Sequence, residues 1–429
     1  MSKKTTTKLF SCSHFPSDWK EYEWKDLFKH LKGQLLSKEK LEDFGKYKCI
    51  LYGELFTTYN EVIYEVKSKT NRNEGTLSKH GDILMPGSTT TTGLDLTVTS
   101  AILENDVLIG GDVNIFRMKT DLTDPVFMSY FLTHTQKKQI ARVTQGTTII
   151  HLYGGDLLGI KFSIPLMDEQ KAIATRLIKW NNAIDRTEKL IIQLQLRNKW
   201  LMHQLLTGKR RIKKFIKSKD NHKTSLGILP VDWQLNSIKN ILSPVKKSFS
   251  PEQNELYQQI GIRSHTKGIF YKEKVTGSII GDKRVFWIEP NCFIVNIVFA
   301  WEHAITRTTE KEIGMIASHR FPMFKPKEGI IDLDYLLYYF KSPRGKHLLG
   351  LASPGGAGRN KTLGQSEFLK LLIPVPPLKE QIAIAELLNV AEKELELLKT
   401  KLEQLKTQKM GLTQTLLTGK KRLNVLNNK

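Results

Sequence analysis

The chain has 429 residues, with 40% hydrophobic, 9% aromatic and 25% charged side chains, a globular composition and not a disordered one. Lys plus Arg number 66 against 43 Asp plus Glu, a net charge of +23, which points first to a polyanion partner such as nucleic acid, with a membrane surface as the other reading. No stretch approaches ~18 apolar residues, so a membrane-spanning helix is excluded, and Met1 to Phe10 is basic and Thr-rich with no apolar core, so no secretory signal is expected. Cys12, Cys49 and Cys292 lie far apart, fitting a reducing cytoplasm and neither a zinc site nor a disulfide framework.

In chain order, the first stretch, 16 to 164, reads as mixed α and β. Strand candidates are Cys49 to Tyr52, Glu61 to Val66, Asp82 to Met85 and Asp106 to Ile109, with a helix at 125 to 140. Glu65 and Lys67 have a spacing seen in metal-dependent nucleases, but three residues match by chance in most proteins. Residues 165 to 214 then read as one long helix. The seam steps by four and three through Ile173, Leu177, Trp180, Ile184, Thr187, Ile191, Leu194, Asn198, Leu201 and Leu205, with a polar break at Asn198. Pro165 blocks helix upstream and Gly208 supplies the stop. The basic run Lys209, Arg210, Arg211, Lys213 and Lys214 suits either a solvated helix end or phosphate contact.

The next stretch, 215 to 375, is again α+β. Strands are expected at Val285 to Ile288 and Cys292 to Phe299, and a helix at 332 to 349 opened by Asp332. The loop Pro354 to Thr362 is Gly-rich but lacks the Gly-Lys of a P-loop, leaving a DNA-backbone contact or a structural turn. Residues 376 to 423 form a second long helix with the seam Ile384, Leu388, Leu395, Leu402, Leu405, Leu412 and Leu416, broken at Lys409. Residues 424 to 429 are a tail.

The two helices are one repeat. At an offset of 211, sixteen of the 48 positions from 165 to 212 are identical, where ordinary composition gives about three. The shared residues include Pro165/Pro376, Glu169/Glu380, Gln170/Gln381 and the two Leu-Leu-Thr-Gly-Lys endings. Pro16-Ser17-Asp18-Trp19 also matches Pro230-Val231-Asp232-Trp233. The chain is therefore two copies of one frame around divergent inserts. Two matched rods of roughly 60 Å are expected to pair as an antiparallel coiled coil; packing of each on its own domain is the alternative. No metal pattern and no motif for holding an extruded base is present, so catalysis is not expected from this chain.

These motifs resemble those of the specificity subunit of type I restriction-modification enzymes: Pro-Leu-x-x-Glu-Gln-x-Ala-Ile-Ala opening a helix that ends in Leu-Leu-Thr-Gly-Lys, twice, each frame preceded by Pro-x-x-Trp. Phe15-Pro16 replaces the usual Leu-Pro in the first copy. The resemblance implies that 1–164 and 215–375 are target recognition domains reading the halves of a bipartite, asymmetric double-stranded DNA site. It implies that the helices space them and dock two methyltransferase subunits, which restriction/translocase subunits join. S-adenosylmethionine, ATP and Mg then belong to the partners, with no cofactor or metal on this chain.

By residue type, candidate DNA contacts are Arg72, Arg117, Lys137, Lys138 and Arg142 in the first insert. In the second they are Lys246, Lys247, Arg263, Lys283, Arg284, Arg307, Arg359 and Lys361. Residues 1–165 carry a net charge of only +2, against +9 for 217–370 and +8 for 166–216. The first domain is thus expected to rely on a focused patch, Lys137 to Arg142, and the second to supply more of the salt-sensitive affinity.

Overall fold

The computed structural model describes residues 15–34, 36–355 and 361–423. Arg359 and Cys12 lie outside them. The chain divides into two compact units: the described residues up to Glu188 together with those from Lys401 onward, and Lys189–Thr400. Both long helices form as continuous 40-residue elements, Met167–Leu206 and Leu378–Leu417.

In the first unit, a five-stranded sheet runs in the order Phe28–Lys32, Val113–Met118, Asp82–Pro86, Ser100–Ile102, Val62–Ile63, antiparallel except for the last pair. A smaller sheet is built on Tyr47–Ile50 and Leu108–Ile109, which pair in parallel. Helix Pro125–Thr135 packs against the large sheet. Trp24, Phe28, Phe116, Phe127, Phe131 and Phe162 are almost fully buried together with Ile173 and Leu177 of the first long helix and Leu416 and Leu417 of the second. The seam residues of these helix segments are thus part of the domain core and gain its burial free energy.

The second unit follows the same plan. A four-stranded sheet orders Leu242–Val245, Met323–Pro326, Phe293–Val295, Ile305–Arg307, all antiparallel. A five-stranded sheet contains the hairpin Leu256–Ile262 with Ile269–Thr276. Helices Leu333–Lys341 and Pro343–Leu351 close the core with Leu205, Leu206, Ile384, Ala385 and Leu388 of the long helices. Each unit also has a matching antiparallel pair that leads into its long helix: Lys20–Glu23 with Lys161–Ile164, and Gln234–Ser237 with Leu372–Val375.

Within each unit the two helix segments run antiparallel. In the first, Lys406 pairs with Glu188 at 2.8 Å, and Arg422 with Glu169 at 2.7 Å. In the second, Arg197 pairs with Glu394 at 2.6 Å. The polar breaks in the seam have separate explanations. Asn198 donates to the Ala391 carbonyl at 2.8 Å, satisfying a helix-facing amide. Lys409 instead reaches Glu61 of the first insert at 3.7 Å.

Four sequence expectations are corrected. The helix expected at 125–140 is two, Pro125–Thr135 and Lys137–Arg142, because Gln136 leaves helical geometry. The one at 332–349 breaks at Ser342, which caps the next helix through Gly345 N and precedes a proline. The strand expected at Cys292–Phe299 keeps only Phe293–Val295, because the Asn296 side chain accepts from Val298 N and turns the chain. Of Glu61–Val66 only Val62–Ile63 pairs. The eight-residue strand Ile269–Thr276 is a further element, with a mostly polar, exposed face that carries no apolar signal.

Candidate nucleic-acid interface and its helical frame

The repeated motifs converge on one structure, formed once in each unit. In the second unit, the first long helix ends at Gly208 (φ +69), where the chain reverses. A Cβ there would lie 2.7 Å from the Pro230 ring, so only glycine fits. Three residues on, Arg211 makes paired hydrogen bonds to Glu380 (2.9 and 2.6 Å) and to Asp232 (both 2.8 Å). Glu380 also accepts from Trp233 Nε1 at 3.2 Å. In the first unit, Gly419 (φ +68) sits against Pro16, and Arg422 binds Glu169 and Asp18 in the same way. Pro-x-Asp-Trp, Glu-Gln and Thr-Gly-Lys-x-Arg are therefore three parts of one clasp, which ties the end of one helix to the start of the other.

The glutamine after each clasp glutamate holds the globular part of its unit. Gln170 donates to the Pro165 and Leu122 carbonyls and accepts from Asp124 N at 2.9 Å. Gln381 donates to the Pro376 and Ile330 carbonyls and accepts from Asp332 N at 2.8 Å. Asp124 and Asp332 are the N-caps of the equivalent helices in the two domains, so the same buried amide fixes each domain on its frame. Arg211 of the basic run is thereby a structural residue, its side chain 6% exposed.

The family model described as the type I restriction modification DNA specificity domain matches residues 16–196 and 230–407. The chain belongs to that family. It is 25% identical to the Methanocaldococcus jannaschii type I restriction enzyme MjaVIII specificity subunit, over 96% of this chain and 95% of the other. A second chain of that organism, named for the MjaX specificity subunit, is 22% identical over 98% of both. Among solved structures, the type I S subunit from M. genitalium matches with a TM-score of 0.56 at 14% identity, over 95% of this chain and 98% of the other. The HsdS subunit from Thermoanaerobacter tengcongensis matches with a TM-score of 0.50 at 14%, over 96% and 99%. These likenesses confirm the two-domain α+β fold. The chain is a DNA-recognition subunit and not itself an enzyme. No helix among the described residues is long and apolar enough to cross a membrane.

The cationic candidates fall into distinct settings in this DNA specificity chain. Some are engaged within the fold. Arg117 makes paired hydrogen bonds to Asp82, at 2.9 and 2.7 Å, and a third to the Leu77 carbonyl. Arg307 binds Asp334 at 2.5 Å, and Lys247 binds Glu289 at 2.5 Å. Others are presented outward. Lys137, Lys138 and Arg142 are exposed on one short helix, Lys137–Arg142. Lys246 and Arg284 line a cleft of about 130 Å³ together with His319, Phe286 and Phe321. Lys283 is exposed in the turn before them, and Arg72 is exposed beside the strand Lys69–Thr70.

Arg263 packs on the Phe270 ring at 5.2 Å, and Lys361 on Trp301 at 5.7 Å. The segments that carry these contacts are joined through the backbone. The turn 263–268 is clamped to the segment beside Trp301 by His265 N to Glu302 O (2.8 Å) and Thr266 N to His303 O (2.9 Å). His265 and Lys267 lie on the same turn as Arg263, and His319 joins the cleft. The run Arg-Ser-His-Thr-Lys-Gly signals a cationic turn in the sequence, whereas the approach of Trp301 depends on the fold. His303, behind the turn, is pushed down to about 4 by burial, with Lys346 and His265 adding to the effect. It is therefore neutral at pH 7 and contributes no charge.

Proposed function

We propose that this chain reads a bipartite, non-palindromic DNA site through two target recognition domains, residues 1–164 and 215–375. The helices 165–214 and 376–423 set the distance between the half-sites and dock two methyltransferase subunits. Restriction/translocase subunits join that core in the cytoplasm. The partners carry S-adenosylmethionine, ATP and Mg. The duplicated clasp is the observation that supports this best: one frame is kept to hydrogen-bond detail while the inserts diverge, as a device that presents two different readers requires.

Reading is assigned to Lys137, Lys138 and Arg142 in the first domain. In the second it is assigned to Lys246 and Arg284 at the cleft and to Arg263 and Lys361 at the clamped turn. Arginine makes bidentate contacts to guanine edges, lysine holds phosphates, and the packed aromatic rings pre-orient both. Arg117, Arg307 and Lys247 act by holding the domain that carries these residues.

The test is an exchange of residues 230–375 for the matching insert of another specificity chain, followed by methylation-site sequencing in cells. Only one half-site should change. Change in both half-sites refutes modular reading. Absence of salt-dependent duplex binding by the assembled complex refutes DNA recognition, because phosphate contacts impose a salt slope.

A further inference from the structure

The two helix pairs share one geometry but not one surface chemistry. In heptad terms, Ile184, Ile191, Asn198, Leu395, Leu402 and Lys409 occupy a positions. Arg197 and Glu394 then both fall at g, and their 2.6 Å pairing places the g edges of the two helices on one flank. The opposite, e flank is the one against which the recognition domain packs in each unit. In the first unit Asn181 bonds Tyr130, and in the second Lys341 pairs with Glu392. The g flank is left open in both.

On that open flank the second unit presents Leu190, Trp200, Leu387, Val390 and Leu397, each 41–66% exposed. The equivalent residues of the first unit, at the offset of 211, are Lys401, Gly411, Arg176, Lys179 and Arg186, all exposed. None of these four cations forms an ion pair among the described residues. One flank is thus an apolar patch of the kind that marks an interaction site. Its counterpart is a field of four unneutralised charges.

We infer that the two docking positions for methyltransferase subunits are chemically unequal. The apolar flank of the second unit takes the first copy by burying Val390, Leu397 and Trp200. The cationic flank of the first unit takes the second copy more weakly and electrostatically. A single partner surface that serves both has an apolar centre and an acidic margin. The margin complements Arg176, Lys179, Arg186 and Lys401 at one position and supplies less at the other, where Arg197 is paired with Glu394 and Arg210 lies on the Trp200 ring. This inference rests on the proposal that methyltransferase subunits dock on these helices.

The experiment titrates the full chain with its cognate methyltransferase subunit, reading stoichiometry by native mass spectrometry and affinity by calorimetry at 0.1 and 0.5 M NaCl. The first equivalent should bind at least about tenfold tighter than the second and persist at high salt, while the second is lost. Val390→Asp with Leu397→Asp should abolish the tight step. Lys179→Val with Arg186→Leu, which installs the apolar residues on the other flank, should make the two steps alike. All four positions are exposed, and circular dichroism checks folding.

Two equal steps, or loss of only the weak step in V390D/L397D, overturn the inference and leave docking itself standing. Self-association of the chain through Val390, or loss of DNA affinity in K179V/R186L with the titration unchanged, also overturns it. Failure of any methyltransferase to bind at either salt overturns the docking proposal along with it.

Discussion

Substituting Arg211 by alanine should be among the most destabilising single changes in the second unit. The Glu380 side chain is fully buried, and among the described residues Arg211 supplies two of the three hydrogen bonds that reach it, with Trp233 Nε1 as the third. Removing the guanidinium leaves a buried carboxylate with one weak donor and no counter-charge, a change that costs about 3–5 kcal/mol. For a unit of roughly 200 residues this lowers the melting temperature by roughly 6–20 °C. The equivalent change, Arg422→Ala, should cost less. Its partner Glu169 is also nearly buried, at 9%, but Arg422 itself is 41% exposed and Asp18 61%, so solvent replaces part of the lost interaction. Differential scanning calorimetry of the two variants, with hydrogen exchange to assign each transition to its unit, measures both effects. The double variant Arg211→Met with Glu380→Leu should recover most of the loss, since it removes the orphaned charge. If Arg211→Ala proves milder than Arg422→Ala, or the double variant is no better than the single, burial does not control the strength of the clasp.

Gln381→Leu should destabilise the second unit by about 1–3 kcal/mol for each buried group it unpairs, among them Asp332 N, and Gln170→Leu should do the same in the first; urea unfolding reads both. Gly419→Ala should destabilise the first unit by about 1–3 kcal/mol from its positive φ alone, and further from the collision with Pro16, checked by the same transition. Glu61 gives the first unit a defined acid sensitivity. Burial raises its carboxyl pKa, but the hydrogen bond from His134 and the charge of Lys409 outweigh this and hold it at about 2. A depressed carboxylate stabilises the fold above its unfolded pKa of about 4.3 and loses that contribution as pH falls. Stability of the first unit should therefore drop between about pH 5 and 2, and Glu61→Gln should flatten that slope. Cys49 and Cys292 are buried and pushed up to about 11 by that burial, so native protein should react with a thiol reagent at these two positions only as fast as it unfolds.

The frame was readable because its parts are covalently local and duplicated. Gly208, Arg211, Glu380 and Gln381 each lie inside a short motif that occurs twice, and repetition marks them without any knowledge of their partners. Their purpose was not readable, since Arg211 and Glu380 meet only in space; as a sequence the basic run looked equally suited to phosphate. The inserts were harder. Strand Phe293–Val295 sits within a continuous apolar run whose end is decided by a side-chain turn at Asn296, and Ile269–Thr276 carries an exposed polar face with no periodic signal. Among the cations, residue type could not separate Arg117, which is satisfied by Asp82, from Lys137 and Lys138, which face solvent.

The partition of the chain also bears on how it is made. The second unit is one uninterrupted segment, Lys189–Thr400, and carries its clasp residues Arg211, Asp232 and Glu380 within it. The first begins earlier but needs Leu416, Leu417, Gly419 and Arg422 to complete its core and clasp. On a translating ribosome, at about 5–20 residues per second, the roughly 200 intervening residues take about 10–40 s to appear. The segment synthesised first is therefore the last to be finished. A nascent chain that stalls after Thr400 would hold one complete unit and one unfinished, and only arrival of the final turn of helix completes the core and clasp of the other.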